Sequence, residues 1–409
     1  MRSEWKEVKL AELGYHYGGL TNKTKEDFGS GYPYIPYLNI FENSKIDKSN
    51  LDFIKIYASE NQNKVKRGDL FFTTSSETPH EVGMTSVLLD DLGDAYLNSF
   101  CFGFRLKDFD TLFPEYAAYL FRGEKIRKLI SDLAQGSTRY NLSKSIFFDK
   151  LKFNLPPLPQ QRKIAKILST CDAVIEKTEA AIAKYQALKQ GMMQDLFTRG
   201  IDPQTGALRP TYEDAPELYK ESELGWIPKE WEVKRLEEYL NLKSGEGIKS
   251  ESIEKIGEIP VFGGNGLRGF TKTYTHEGNH VLIGRQGALC GNIVIANGKF
   301  YASEHAVVVT ILDDSDYKWV GNKLYQMELN QYSEASAQPG LSVNKIYKLL
   351  TANPNSQEQI LITNRLESLD QKLRTEQEAL LKYQQLKSGL MGDLLSGRVE
   401  VGVENEVMN

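Results

Sequence analysis

The stretch Lys184 to Leu196 returns at Lys382 to Leu394, an offset of 198 residues, with 9 of 13 positions identical. The same offset pairs Pro156 with Pro354, Gln161 with Gln359, Ile164 with Ile362, Leu168 with Leu366 and Asp172 with Asp370. Each repeated stretch follows a long segment that is far less alike, so the chain reads as two half-copies of one fold. Half-copies tend to pack about a pseudo-twofold axis, as an isologous dimer does. DNA sites read by twofold proteins have two half-sites whose spacing mirrors the protein. A bipartite duplex is therefore a natural target for such a repeat.

The repeated stretches predict long helices. Positions 164, 167, 171, 174, 178, 181, 185, 188, 192 and 195 follow alternating three- and four-residue steps, and eight of the ten are apolar or aromatic. Positions 362, 366, 369, 373, 376, 380, 383, 387, 390 and 394 do the same, again eight of ten. This is a coiled-coil seam. Its expected members are Ile164, Ile167, Val174, Tyr185 and Leu188 in the first helix. In the second they are Ile362, Leu366, Leu369, Leu373, Tyr383 and Leu390. Pro159 suits the first turn of one helix. Ser356-Gln357-Glu358-Gln359 reads as a capping box opening the other, and Gly200 and Gly397 close them. If the halves obey a twofold axis across the pair, the helices must be antiparallel.

Short apolar runs separated by turn formers fill the segments before each helix. In the first they include Tyr34-Ile35-Pro36-Tyr37-Leu38, Leu70-Phe71-Phe72 and Phe100-Cys101-Phe102-Gly103-Phe104, with one helix expected over Pro114 to Leu133. In the second, Val281-Leu282-Ile283, Asn292-Ile293-Val294-Ile295 and Ala306 to Ile311 are the clearest strands. Loose echoes link the two: Trp5 with Trp231, Tyr32-Pro33-Tyr34 with Ile259-Pro260-Val261, Ala95-Tyr96-Leu97 with Phe300-Tyr301-Ala302, and Ala134-Gln135-Gly136 with Ala337-Gln338-Pro339. The expected fold class is α+β: two similar mixed domains joined by two long antiparallel coiled-coil helices, pseudo-twofold. The expected boundaries are 1–155 (domain 1), 156–200 (first helix), 201–225 (a polar, turn-rich linker), 226–353 (domain 2), 354–398 (second helix) and 399–409 (an acidic tail).

Chemistry is harder to find. No Gly-x-x-x-x-Gly-Lys-Ser/Thr loop is present to cradle a nucleotide. Asn154-Leu155-Pro156-Pro157 and Asn353-Pro354-Asn355 fail as an Asn-Pro-Pro-aromatic methyltransferase motif and read as helix-entry punctuation. His276, His280, Cys290 and His305 could be assembled into a zinc site, but no Cys-x-x-Cys pair supports it, and no metal is expected. No Gly-x-Ser-x-Gly elbow carries a nucleophile. The chain is thus not expected to be an enzyme on its own. No run approaches the ~20 apolar residues of a membrane span, the first residues lack a secretory h-region, and three scattered cysteines fit a reduced cytoplasmic protein. The net charge of −5 speaks weakly against nucleic acid, although 50 Lys and Arg can cluster on one face. Several loops combine arginine, amide and hydroxyl groups. Arg reads guanine, Asn or Gln reads adenine, and Lys holds phosphate. Arg139 and Asn141 in the first domain, and Arg268, Lys272, Arg285 and Gln286 in the second, are the candidates for DNA contact.

Leu155-Pro156-Pro157-Leu158-Pro159-Gln160-Gln161-Arg162-Lys163-Ile164 opens the first helix, and Glu223-Leu224-Gly225-Trp226-Ile227-Pro228-Lys229-Glu230-Trp231-Glu232-Val233 opens the second domain. With the Gly136-Ser137-Thr138 turn, Leu142 and the two Tyr-Gln-x-Leu-Lys-x-Gly helices, these residues give a resemblance over essentially the whole length. The chain resembles the specificity (S) subunit of type I restriction–modification systems. It departs at Asn353-Pro354-Asn355-Ser356, where the Pro-Pro-Leu entry is degraded. The resemblance implies two target-recognition domains, each reading one half of a split asymmetric DNA sequence, with the helices as a ruler between them. It implies two modification subunits docked on the helices, carrying S-adenosylmethionine and methylating adenine. Restriction subunits would supply ATP- and Mg-dependent translocation and cleavage in phage defence, with no cofactor on this chain and no membrane partner. The competing reading is a non-catalytic coiled-coil scaffold joining two protein-binding domains. A methyltransferase fusion is disfavoured by the missing motifs.

Overall fold

The computed structural model describes residues 5–287, 289–334 and 339–402. Two helices dominate it, Leu158–Thr198 and Ser356–Ser396, each of 41 residues. The chain divides into two compact units, residues 1–179 with 378–409, and residues 180–377. Each unit therefore holds one globular domain, the first half of one long helix and the second half of the other.

Domain 2 is built on a six-stranded sheet in the order Leu240–Ser244, Ala306–Ile311, His276–Gly284, Ile293–Ala302, Ile259–Gly263, Gly266–Thr271. Two of its central strands carry Val- and Ile-rich runs buried on both faces, Val281 to Gly284 and Ala306 to Val309. Domain 1 repeats this order in two pieces. Gly14–Gly18, Cys101–Leu106, Leu70–Thr73 and Thr85–Val87 form one sheet; Asp52–Ile54, Phe28–Ile35 and Tyr96–Leu97 form the other. The parallel pairing Tyr34↔Tyr96 and Ile35↔Leu97 has its counterpart in Val261↔Tyr301 and Phe262↔Ala302. The echoes of Tyr32-Pro33-Tyr34 and Ala95-Tyr96-Leu97 are thus real register marks. The long strand Ile293–Ala302 is matched in domain 1 by Thr85–Val87 and Tyr96–Leu97, interrupted by the Asp90-Asp91-Leu92-Gly93-Asp94 turn. There Gly93 takes φ +64 and its N–H donates to the Asp91 carboxylate at 3.0 Å. Each domain closes on itself just before its helix: Lys6–Lys9 pairs with Lys152–Leu155, and Glu232–Arg235 with Leu350–Asn353.

A buried glutamine then ties each domain to its helix. Gln161 Nε2 donates to the Pro156 and Thr111 carbonyls, both at 2.9 Å, and its Oε1 accepts from Phe113 N at 2.9 Å. Gln359 repeats this, donating to the Pro354 carbonyl at 2.9 Å and accepting from Asp316 N at 2.8 Å. Trp5 and Trp231 also keep their echo: each packs against the glycine that ends a long helix, Gly397 and Gly200, both at positive φ.

The helices run antiparallel within each unit. In the first, Ile164, Ala165 and Leu168 share a core with Leu394 and Leu395, and farther along Asp172 meets Lys387 at 2.6 Å. In the second, Met193, Leu196 and Phe197 share a core with Ile362 and Leu366, and Lys189 meets Asp370 at 2.6 Å. These two ion pairs are one pair seen twice, related by the 198-residue offset. Asp172 carries more: the Tyr119 hydroxyl donates to it at 2.5 Å and Lys45 Nζ at 3.2 Å, so both side chains of domain 1 are fastened to the helix. Burial alone would raise the Asp172 pKa, but Lys387, Tyr119 and Lys45 together hold it below the usual 3.8.

Three sequence expectations shift. The expected helix over Pro114 to Leu133 is two, Pro114–Leu120 and Glu124–Asp132. The break at Gly123 lets Leu395 of the second long helix approach, and a Cβ there would sit 3.0 Å from its Cδ1. The second long helix is capped by Asn355, whose Oδ1 accepts from Glu358 N at 2.9 Å; Ser356 already lies inside the helix and bonds Asp314. Leu188 and Tyr383, expected in the seam, are 46% and 38% exposed. A straight helix drifts about 20° per heptad from a 3.5-residue repeat, so the inward face passes from Ile164 and Leu168 through Thr178 to Met193 and Leu196. Ala337 and Gln338, in the last of the echoes, lie outside the described residues. Most of the expected acidic tail, from residue 403, is likewise outside them.

Asp172→Asn leaves Lys45 and Lys387 facing a neutral amide. The expected loss is about 1–3 kcal/mol at pH 7, read by urea denaturation. Because a lowered carboxyl pKa adds stability above the unfolded value and loses it as pH falls through the folded one, the gap between variant and native protein should narrow below pH 3.8.

Candidate nucleic-acid interface

In domain 2 four loops meet at one corner of the sheet. The tight reversal Gly263-Gly264-Asn265-Gly266 joins the last two strands of the sheet, with Gly266 at φ +85. The loop leaving strand His276–Gly284 lies directly on it: a Cβ on Gly284 would stand 1.9 Å from the Gly264 carbonyl oxygen, and one on Gly264 2.8 Å from the Gln286 carbonyl oxygen. Only glycine permits this backbone contact. Arg285 is threaded between the other two loops, its N–H donating to the His305 carbonyl at 2.9 Å and its carbonyl accepting from Leu341 N at 2.9 Å. Its exposed guanidinium donates to Ser244 Oγ at 3.1 Å. Gln286 forms a bridge to Gly340, and the Arg268 stem lies across Gly263.

Domain 1 repeats the wiring. Thr74 N donates to the Phe100 carbonyl at 3.1 Å and Thr74 O accepts from Leu142 N at 3.0 Å, as Arg285 does with His305 and Leu341. Ser75 pairs with Asn141 as Gln286 bridges Gly340. Gly136, at φ +132, would place a Cβ 2.1 Å from the Arg139 carbonyl oxygen, so the Gly136-Ser137-Thr138-Arg139 turn depends on it. Arg139 is exposed and donates to Ser75 Oγ at 3.1 Å; Asn141 Nδ2 donates to the Arg139 carbonyl at 3.3 Å. An open cleft of about 800 Å³ lies beside it, lined by Tyr37, Leu38, Phe41, Ser75, Phe100 and Arg139 among others.

Five of the six candidates thus fall at the same corner of their domains: Arg139 and Asn141 in one, Arg268, Arg285 and Gln286 in the other. Lys272 does not. It follows Thr271, at the far end of the strand that begins at Gly266, is 87% exposed and faces Glu254 at 3.7 Å. Sequence reading did not put Leu38, Phe100 or Ser244 in the site, because they arrive from segments distant along the chain. The histidines and cysteine considered for zinc do not converge. His276 and His280 pack on Phe300, Cys290 is buried beside Asn330, and His305 pairs with Glu304 at 3.1 Å. Burial, and His280 after it, lowers the His276 pKa. Among the described residues no group of three or more His, Cys, Asp and Glu could hold a metal, and no helix is long and apolar enough to cross a membrane.

The model of the type I restriction modification DNA specificity domain matches residues 2–184 and 228–383. The chain belongs to this family. The two matched stretches are the two half-copies, so the expected resemblance and the α+β, two-domain, long-helix fold are both borne out. The type I restriction enzyme EcoprrI specificity subunit of Escherichia coli is 42% identical over 163 residues, 39% of this chain and 39% of that protein. The putative MjaX specificity subunit of Methanocaldococcus jannaschii is 29% identical over 251 residues, 60% of this chain and 55% of its own. The chain therefore matches well under two thirds of the length of these relatives. The crystal structure of a type I restriction–modification S subunit from M. genitalium has the same fold, with TM-score 0.61 and 18% identity over 95% of this chain and 96% of that one.

The glycine contact gives a sharp test of the corner's construction. Gly284→Ala forces two backbones apart and should cost about 1–3 kcal/mol, while Gly247→Ala, with nothing within 4 Å of the added carbon, should stay within about 0.5 kcal/mol. Paired denaturation curves decide it.

Proposed function

We propose that this chain is the DNA-reading subunit of a type I restriction–modification assembly in the cytoplasm, with each domain reading one half of a split asymmetric site through its four-loop corner. The observation that carries this is the corner itself. The same backbone wiring is built twice, and it displays different side chains: Arg139, Asn141 and Ser75 in one domain, Arg268, Arg285 and Gln286 in the other. One frame with two sets of base-reading groups is what two unlike half-sites require. Family membership supports the reading.

The long helices set the spacer and dock two modification subunits. Leu381 and Leu386 are 60% and 54% exposed on the second helix. Apolar side chains left in water along a helix favour a helical partner. Methyl transfer to adenine, using S-adenosylmethionine, and ATP- and Mg-dependent cleavage belong to the modification and restriction subunits; this chain binds none of these cofactors. The scaffold reading, without DNA, leaves the twofold display of arginine and amide groups unexplained.

Purified alone, the chain should neither methylate nor cleave DNA, and should gain sequence-specific methylation on addition of its modification subunit; methylation by the isolated chain would refute the division of labour. If duplex binding carries the function, affinity should also fall steeply with salt, whereas a scaffold would show no salt-dependent duplex binding.

The ruler is tested by length. Four residues inserted near Ile164 lengthen the first helix by about 6 Å at ~1.5 Å per residue. Against ~3.4 Å per base pair, the unread spacer should widen by one or two base pairs with both half-sequences unchanged. Sequencing the methylated sites reads the answer; an unchanged spacer would show that the helices hold the domains without measuring.

A further inference from the structure

We propose that the corner of domain 1 reads a guanine next to a thymine: Arg139 bonds the guanine edge, and Leu38 and Phe100 meet the thymine 5-methyl group. This rests on the DNA-reading function above and assigns base chemistry to one half-site.

Leu38 and Phe100 line the same cleft as Arg139 and are 58% and 62% exposed. Neither is loose. Leu38 sits on the short helix Tyr37–Glu42, pinned by buried Ile40 and by Asn39, whose Nδ2 donates to the Asp47 and Asn50 carbonyls at 2.8 and 2.6 Å. Phe100 is held in a turn, with its N–H donating to Asn98 Oδ1 at 2.8 Å and its carbonyl accepting from Thr74 N. The backbone is fixed and the apolar group is left in water at the edge of a polar loop cluster. Among base-pair edges in the major groove, the thymine methyl is the apolar feature such a group can cover.

Arg139 is likewise presented. Ser75 takes one N–H of its fork at 3.1 Å and sets its direction. Two carboxylates, Glu77 and Glu81, line the same cleft, and Glu81 is fixed by Ser76 Oγ at 3.1 Å and Thr78 Oγ1 at 2.9 Å. Two negative groups repel a phosphate backbone, so the cleft suits neutral base edges. Arginine opposite guanine O6 and N7 is the pairing its planar fork fits best.

The test uses the chain assembled with its modification subunit. Methylome sequencing first gives the native split site. Short duplexes carrying that site are then titrated by fluorescence anisotropy, with thymine replaced by uracil, which removes only the 5-methyl group. The native assembly should lose about fourfold in affinity per methyl removed. Leu38→Ala and Phe100→Ala should lose a similar amount on thymine DNA and nothing more on uracil DNA. Arg139→Ala should lose about tenfold or more of its preference for one guanine. Urea denaturation curves that match those of the native chain show in each case that domain 1 of the variant is folded. The proposal is overturned if uracil binds as well as thymine, if Arg139→Ala relaxes a base other than guanine, or if it weakens all sequences equally, as a phosphate contact would. A native methylome without a split site would instead overturn the function on which the proposal rests.

Discussion

A buried glutamine at the foot of each long helix is the joint on which the structure depends. Gln161 and Gln359 each satisfy the carbonyl of a proline before the helix and a backbone N–H of the domain packed against it. Both amides are almost fully buried, at 1% and 3% exposure. An unpaired amide there would carry the full desolvation penalty, about 1–3 kcal/mol, so the geometry is held closely. The joint makes domain and helix start one object within each unit. Whatever the domain binds is thereby referred to the helix, which is the property a ruler needs.

The seam adds the second constraint, and it is uneven. Near the helix ends, Ile164, Leu168, Ile362 and Leu366 are buried with the terminal leucines and Phe197 of the other helix. Further along, the two equivalent Asp–Lys pairs take over, and Leu381 and Leu386 remain in water. Domain 1 strengthens its side with Tyr119 and Lys45 on Asp172. Its counterpart Asp370 meets Lys189 from the helix pair itself. Such an arrangement fixes orientation and register through polar contacts, while leaving apolar side chains exposed.

The two corners show how a fold can keep its frame and change the side chains it displays. Thr74 and Arg285 make the same two backbone hydrogen bonds, and those bonds are indifferent to the side chain. Side chains at this corner can therefore differ without disturbing the sheet, as Ser75 and Gln286 do at matching positions. The glycines at 136, 264 and 284 are the exceptions, because carbonyl oxygens occupy the space a Cβ would need.

The sequence by itself determined the repeat, the two long helices and their antiparallel sense, the helix-closing glycines and the central strands of domain 2. Each rests on a periodicity or an offset, and both are local or exactly countable. Five of its six candidates lie at the corner, since glycine-bearing turns rich in arginine and amides mark loops. What only the tertiary structure decided is which loops meet. Leu38, Ser75, Phe100 and Arg139 share one cleft although scores of residues separate them, and Lys272 leaves the corner because a strand carries it to the opposite end. The structure also moved Leu188 and Tyr383 off the buried seam, because a straight helix keeps its own 3.6-residue pitch and does not follow an ideal heptad. Strand order and loop convergence depend on pairings between distant segments, and no spacing along the chain encodes those.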